Sequence, residues 1–152
     1  MTAADVRSAI EHIVYGYAER VDAGDFAGLA DLFRDATYKG GGPDDPGVVG
    51  ADAVLAIQEQ MIRRYADGTP RTKHVTTNLV IDADEAAGTA TARSYFTVLQ
   101  QVDDHPLEIV IAGRYHDRFA RRDGRWRLAE RVILCDLIGD LSRHLTVDPV
   151  RR

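Results

Sequence analysis

The chain is poor in the residues that cross-link small proteins or bind metal ions. Cys135 is the one cysteine in 152 residues, so an internal disulfide and a cysteine-rich metal site are both excluded. A reducing cytoplasm suits such a composition, and we expect the protein there. With 45% hydrophobic and 28% charged residues the composition is typical of a globular protein, and residues 1–152 are predicted to form a single domain.

Long apolar runs and an excess of positive charge are missing as well. No run approaches the roughly 20 residues that span a bilayer, and the N-terminus lacks a signal-peptide pattern. The net charge of −5 opposes general nucleic-acid binding, because phosphate neutralisation needs a basic surface. We therefore expect neither a membrane nor a nucleic acid as partner.

The first part of the chain has helical periodicity. Thr2 and Asp5 form a predicted capping box before an apolar stripe with helical spacing, which comprises Val6, Ile10, Ile13, Val14, Tyr17 and Val21. Gly24 suits a left-handed helix end, and Asp25 suits the cap of a second, shorter helix. Residues 51–66 are predicted to form a third helix.

From residue 72 onward the apolar residues alternate with a period of two, as they do in strands. The predicted strands are Lys73–Ile81, Thr89–Gln101, Leu107–Arg121 and Trp126–Leu134, besides a short one at Ala36–Tyr38. Asp123-Gly124 predicts a type I′ turn in the last hairpin. Three helices followed by a curved antiparallel sheet predict an α+β roll, and residues 136–152 are expected to form a tail or lid.

The type I′ turn also predicts which residues of the last hairpin face each other. A two-residue loop places Asp117 opposite Glu130 on the face that carries Trp126, which we expect to pack against the helices. Because facing carboxylates repel, we predict that Arg93 neutralises them in a buried cluster, either as scaffold or as part of a catalytic acid pair. The outer face, either a subunit contact or a solvated surface, is predicted to carry Arg114, His116, Arg118, Arg127 and Arg131.

Five segments of the chain resemble one family of proteins. They are residues 22–26, 72–78, 92–95, 112–119 and 123–130, and they include the corner Asp22-Ala23-Gly24-Asp25-Phe26 and the run Thr72-Lys73-His74 with Asn78. Together they resemble the SnoaL-like, scytalone dehydratase-like branch of the nuclear transport factor 2-like superfamily. The resemblance implies a cone-shaped, cystatin-like roll, in which a curved antiparallel sheet and three N-terminal helices surround a deep pocket.

The same resemblance implies a catalytic dyad. In dehydratase-like and dehydrochlorinase-like members, an aspartate that ends the first helix orients a histidine on the first long strand, and Asp22 and His74 match these positions. That histidine moves the proton in a cofactor-free elimination, so no cofactor is expected. The dehydratase's second histidine corresponds to Leu99 and its tyrosine to Val21, while the dehydrochlorinase's lysine falls near Tyr17. Scytalone is therefore not the expected substrate.

His74 is the predicted proton-transfer group. An imidazole with a pKa of roughly 6.5 can both accept and donate protons near neutrality, and a carboxylate on one ring nitrogen fixes the tautomer. We predict that His74 takes a proton next to a carbonyl or an aromatic system. Strand alternation places Thr76 and Asn78 on the same face, where either could bind a substrate oxygen.

Six further residues are predicted to bind the substrate. They are Tyr17, Tyr38, Asn78, Tyr95, Leu99 and Tyr115, and one of the phenols of Tyr38, Tyr95 or Tyr115 is expected to assist His74. His12 and His144 are expected on exposed segments. No histidine has partners at metal-ligand spacing, so no metal site is predicted.

Three functions remain open at this point. The first is a cofactor-independent lyase or isomerase, of dehydratase or cyclase type, that acts on a hydrophobic cyclic small molecule. The second is a non-catalytic binding or assembly module, and the third is a limonene-epoxide-type hydrolase with an Asp-Arg-Asp set. A homodimer or homotrimer is expected to form through the outer sheet face.

Overall fold

The computed structural model describes residues 2–147. Its elements are α1 Ala3–Ala23, α2 Phe26–Asp31, β1 Thr37–Lys39, β2 Val48–Val49, α3 Ala51–Met61, β3 Thr72–Asp84, β4 Thr89–Val102, β5 His105–Arg122 and β6 Arg125–Ile138. The strands form one sheet in the order β2-β1-β6-β5-β4-β3, and only the β1–β6 pairing within it is parallel. The predicted α+β roll with a curved sheet is confirmed, and the sheet is unclosed. Within these residues no helix is long and apolar enough to cross a membrane.

The ends of the first two helices follow the predicted capping chemistry. Thr2 accepts a hydrogen bond from the backbone of Asp5 and completes a capping box, while Gly24 ends α1 in the left-handed conformation with φ 73°. Asp25 then caps α2 by accepting from the backbone N–H of Gly28 at 2.8 Å. The short corner that results directs the last turn of α1 toward the beginning of β3.

The third helix is shorter than predicted. It ends at Met61, because Ile62 is extended (φ −97°, ψ 124°) and forms a bridge with Leu145 near the C-terminus. This long-range pairing replaces the last helical turns that the apolar periodicity favours. The last strand differs in the other direction, since β6 continues to Ile138 into the stretch expected to be a tail or lid. Residues 148–152 of that stretch lie outside the described residues.

A bulge in β3 changes which residues face inward. Asn78 has φ 54°, and the pairing with β4 shifts between Thr77 and Val80, so one extra residue lies on β3. Beyond the bulge, Leu79 and Ile81 pack on the core and Asn78 is exposed. The prediction that Asn78 shares the face of His74 is therefore wrong, because simple alternation does not hold across a bulge.

A second bulge overturns the predicted acid pair. The register from the Asp123-Gly124 turn holds as far as Phe119 opposite Leu128, and then Ala129 is the extra residue on β6. Asp117 consequently faces Arg131 rather than Glu130. The predicted Arg93–Asp117–Glu130 cluster is wrong, since Glu130 pairs with Arg118 on the outer face and Arg93 is exposed opposite His116. Arg131, predicted on the outer face, is instead buried.

The core lies between the inner face of the sheet and the three helices. Tyr17 of α1 makes edge contacts with Phe33 and with Tyr115 of β5, at ring-centroid distances of 6.2 and 5.8 Å. The guanidinium of Arg131 lies between two of these rings, 4.3 Å from the centroid of Tyr17 and 4.0 Å from that of Tyr115. Arg131 also forms a bidentate ion pair with Asp117, in which Nε and Nη2 donate to the two carboxylate oxygens at 2.8 and 2.7 Å.

Candidate active site

The end of α1 and the beginning of β3 bring Asp22 and His74 into direct contact. Asp22 Oδ1 lies 2.6 Å from His74 Nδ1, and Oδ2 accepts the backbone N–H of His74 at 2.8 Å. The hydroxyl of Thr72 donates to Oδ1 at 2.8 Å. Thr72 and His74 are two residues apart on β3, so both side chains point inward at the same carboxylate. The pair predicted from the sequence is therefore formed in the structure.

The contact fixes the chemical state of both partners. An ionised Asp22 can only accept hydrogen bonds, so Nδ1 of His74 carries the proton and Nε2 of the neutral ring is left as the basic nitrogen. Burial by itself raises the pKa of Asp22, but the hydrogen bonds and charge of His74 and the hydroxyl of Thr72 outweigh burial and hold this pKa below its usual value. Asp22 thus stays ionised near neutrality and holds the ring of His74 in place.

A second histidine lies against the pair. His144 is 5% exposed, and its ring meets that of His74 edge-on, with centroids 6.1 Å apart and planes 62° apart. Burial, reinforced by the positive charge of His74 and opposed by Asp22, lowers the pKa of His144 to about 4. The expectation that His144 lies on an exposed segment is wrong, because its position depends on contacts with distant parts of the chain.

Those contacts come from the C-terminal segment, residues 139–147, which we call the strap. The backbone N–H of Arg63 donates to the carbonyl of His144 at 2.9 Å. The backbone N–H of Thr146 donates to the carbonyl of Met61 at 2.8 Å. The carbonyl of Arg143 accepts from Tyr65 Oη at 2.6 Å and from Gln100 Nε2 at 3.1 Å. Hydrogen bonds to α3, to the loop after it and to β4 therefore hold His144 in place.

An open groove runs along the seam between α1 and the edge strand β3. Its volume is about 480 Å³, and it is lined by Tyr15, Ala18, Glu19, Asp22, Ala23, Thr69, Lys73, His74 and Thr76. His74 keeps 8% of its side chain exposed. Thr76 lies on the same face of β3 as His74, and its buried hydroxyl has no hydrogen-bond partner within residues 2–147. A small molecule in the groove can therefore lie against both His74 and Thr76.

Three of the predicted substrate-binding residues lie in the interior. Tyr17, Tyr38 and Tyr115 surround Arg131 through the contacts described above and through the β1–β6 pairing, which places Tyr38 beside Arg131. Burial raises the pKa of each of these phenols; for Tyr38 it outweighs the opposing hydrogen bonds with Gln58 and Tyr17 and the charge of Arg131. The phenols therefore remain protonated near neutrality.

The other three predicted residues lie away from His74. Tyr95 is 52% exposed on the outer face of β4, and Leu99 pairs with Lys73 on that face, whereas His74 pairs with Val98. Asn78 lies in the bulge. Buried residues of β4 occupy even-numbered positions, so the odd-numbered Tyr95 and Leu99 point outward. The prediction that these three residues line the site is wrong.

Sequence reasoning missed His144 and Arg131 as inward-facing groups. Arg131 was predicted on the outer face because the hairpin register was assumed to be unbroken. The residue types around Ala129 do not indicate that a bulge forms there. For His144 no local pattern predicts burial. Among the described residues, no group of three His, Cys, Asp or Glu side chains is arranged to hold a metal ion.

Comparison with known proteins gives consistent matches. A family model described as a SnoaL-like domain matches residues 2–132. A proposed scytalone dehydratase from Novosphingobium aromaticivorans is 26% identical with a TM-score of 0.67, over 90% of this chain and 87% of that one. A Mycobacterium tuberculosis protein of unknown function is 25% identical with a TM-score of 0.68, over 86% and 76% of the two chains.

The same fold occurs in a more distant structure. An NTF2-like protein with a cystatin-like fold, also from Novosphingobium aromaticivorans, is 20% identical with a TM-score of 0.69, over 90% of this chain and 85% of that one. No curated protein matches the chain. The likeness in structure thus extends over most of the chain.

Proposed function

Because the chain belongs to the SnoaL-like domain family, we propose that it is a cofactor-independent lyase or isomerase acting on a hydrophobic cyclic small molecule. One observation carries the proposal, the 2.6 Å contact between Asp22 and Nδ1 of His74 beside an open groove. The carboxylate of Asp22 already accepts hydrogen bonds from the Thr72 hydroxyl and from the backbone N–H of His74, so its own stability does not require the imidazole. The carboxylate does serve to orient an imidazole and to stabilise its protonated form.

The proposed reaction begins when Nε2 of His74 takes a proton from a carbon next to a carbonyl or an aromatic system. The electron pair of that C–H bond moves toward the carbonyl oxygen and forms an enolate, while Asp22 stabilises the new imidazolium. In an elimination the enolate collapses and expels a hydroxyl, which takes the proton from His74 and leaves as water. In an isomerisation His74 returns the same proton to another carbon.

The groove offers complementary surfaces for such a substrate. Tyr15, Ala18 and Ala23 supply an apolar wall, and the hydroxyl of Thr76 is free to donate to a substrate oxygen. Assistance by Tyr38 or Tyr115, both protonated in the interior, remains part of the proposal; Tyr95 is removed from it because it lies on the outer face.

Proton abstraction can be tested before the natural substrate is known. Cyclic ketones of the ketosteroid, polyketide and halogenated classes would be incubated with the protein in D₂O, and carbon-bound deuterium would be followed by NMR. We expect exchange or elimination with at least one class, and a loss of at least about a hundredfold in His74→Ala and in Asp22→Asn. His116→Ala, an exposed histidine on the outer face, is the matched control. Activity that survives His74→Ala would refute the mechanism.

One observation favours a second candidate, a binding module without turnover. Aromatic rings and Arg131 pack closely in the interior, which leaves the groove as the surface for a ligand. Binding of a panel compound without deuterium exchange would favour that candidate. The epoxide hydrolase is less well supported, because Arg131 has one buried acid, Asp117, and Glu130 lies on the other face.

A further inference from the structure

His144 is a polar residue in a place where the fold does not require one. Its Nδ1 is buried and has no hydrogen-bond partner within residues 2–147. A buried ring nitrogen without a partner costs free energy that a phenylalanine of similar shape would not. The hydrogen bonds that hold the strap come from backbone groups and from the side chains of Tyr65 and Gln100, and they do not use this imidazole. A structural role therefore explains the position of residue 144 but not its chemistry.

The surroundings of His144 favour a neutral imidazole. The ionisable groups that face it are His74 from β3 and Asp22 from α1, and Asp22 already binds His74. Arg143, the preceding residue in the strap, pairs with Asp140 at 2.9 Å. When His74 becomes protonated during a reaction, a neutral neighbour adds no charge repulsion. A neutral ring still carries one N–H donor and one lone pair.

We propose that His144 is a second hydrogen-bonding group of the site, which donates its ring N–H to an oxygen of the molecule from which His74 takes a proton. The inference rests on the proposed function and adds to it the group that donates a hydrogen bond to the substrate oxygen. As the C–H electron pair moves toward that oxygen, negative charge grows there and the N–H bond to it strengthens. His144 keeps its proton throughout, and the transferred proton resides on His74. The substrate class is accordingly an enolisable carbonyl compound, and a phenol resembles the enolate that forms from it.

A phenol probe tests this role without the natural substrate. 2-Naphthol places a planar apolar body and an oxygen at the same site, and protein labelled with ¹⁵N-histidine would be titrated with it. We expect the ring signals of both His74 and His144 to shift on binding. His144→Phe, which keeps a ring of similar shape, should bind about tenfold more weakly, as expected for one lost hydrogen bond to a partly charged oxygen.

Two further variants separate hydrogen bonding from packing. His144→Gln keeps an N–H donor and should recover part of the affinity, whereas Ser142→Ala, an exposed position in the same strap, should bind like the wild type. The thermal unfolding temperature of His144→Phe should equal or exceed that of the wild type, because no buried nitrogen is left unpaired. A lower unfolding temperature combined with unchanged affinity would mean a structural role.

The outcomes distinguish this inference from the function on which it rests. If His144→Phe binds naphthol as tightly as the wild type and the His74 signal still shifts, the role of His144 is overturned and the proposed function stands. If naphthol moves the signal of neither histidine in the wild type, and no panel ketone exchanges deuterium, both are overturned. Weaker binding in His144→Phe with recovery in His144→Gln supports the inference.

Discussion

Removing the carboxylate of Asp117 should destabilise the protein more than any surface substitution. Asp117 and Arg131 are 2% and 1% exposed, and their two hydrogen bonds measure 2.8 and 2.7 Å. In Asp117→Ala the guanidinium stays between the rings of Tyr17 and Tyr115 without a counter-charge. Breaking such a buried pair typically costs about 3–5 kcal/mol, a large part of the roughly 5–15 kcal/mol that stabilises a domain.

A double-mutant cycle separates the free-energy cost of the unpaired charge from a simple loss of packing. Asp117→Leu combined with Arg131→Met removes both charges and retains apolar volume, so the double variant should lose about 2 kcal/mol or less. Its cost should therefore be several kcal/mol below the sum of the two single substitutions. Urea unfolding, followed by circular dichroism, gives the free energy of unfolding of each variant.

The outer-face pair of Arg118 and Glu130 provides the control. Its separation is 3.1 Å, but the Arg118 side chain is 64% exposed, so Arg118→Ala should cost less than about 1 kcal/mol. If Asp117→Ala costs no more than Arg118→Ala, then the interior around Arg131 is hydrated and the reasoning is wrong. Additive single and double substitutions would refute it as well.

Three more predictions concern His144, Thr72 and Asn78. The pKa of His144 is about 4 when folded against 6.5 for the free side chain, so the unfolded state binds the extra proton between these values. Stability should therefore be complete above pH 6.5 and fall by about 3 kcal/mol toward pH 4, and urea unfolding across that range should show less of this fall in His144→Phe. Thr72→Val removes one donor to Asp22; the pKa of Asp22, followed by carboxyl ¹³C NMR, should rise, and stability should fall by about 1 kcal/mol. Asn78 has φ 54°, so Asn78→Gly should be neutral or stabilising and Asn78→Val should destabilise by about 1–2 kcal/mol in the same unfolding assay; the reverse order would contradict the bulge.

The Asp22–His74 pair shows how far local information reached. The apolar stripe of α1 and the left-handed position of Gly24 determine where the helix ends, and Asp22 lies two residues before that glycine. The position of His74 follows from the alternating pattern, which predicts the beginning of the first long strand just before this residue. That these two ends meet was a prediction from resemblance, since neither periodicity nor capping specifies which helix end lies beside which strand.

The errors at Asn78 and in the last hairpin share one physical cause, which is that a period of two describes a strand only while its register is unbroken. One extra residue near Asn78 and another at Ala129 each reverse the faces beyond them. These two reversals removed Asn78 and Glu130 from the interior and brought in Arg131. A bulge forms where packing on both sides of the sheet favours it, so its position depends on the neighbouring strands.

The sequence by itself determined the class of fold, the helix caps, the type I′ turn and the two residues of the dyad. Those features depend on backbone preferences and on residues that are close along the chain, apart from the pairing that resemblance supplied. Tertiary structure decided the remainder of the site. The strap brings His144 to His74 through hydrogen bonds with residues far away in the sequence. The two histidines are 70 positions apart, and only the packing of the whole chain decides that they become neighbours.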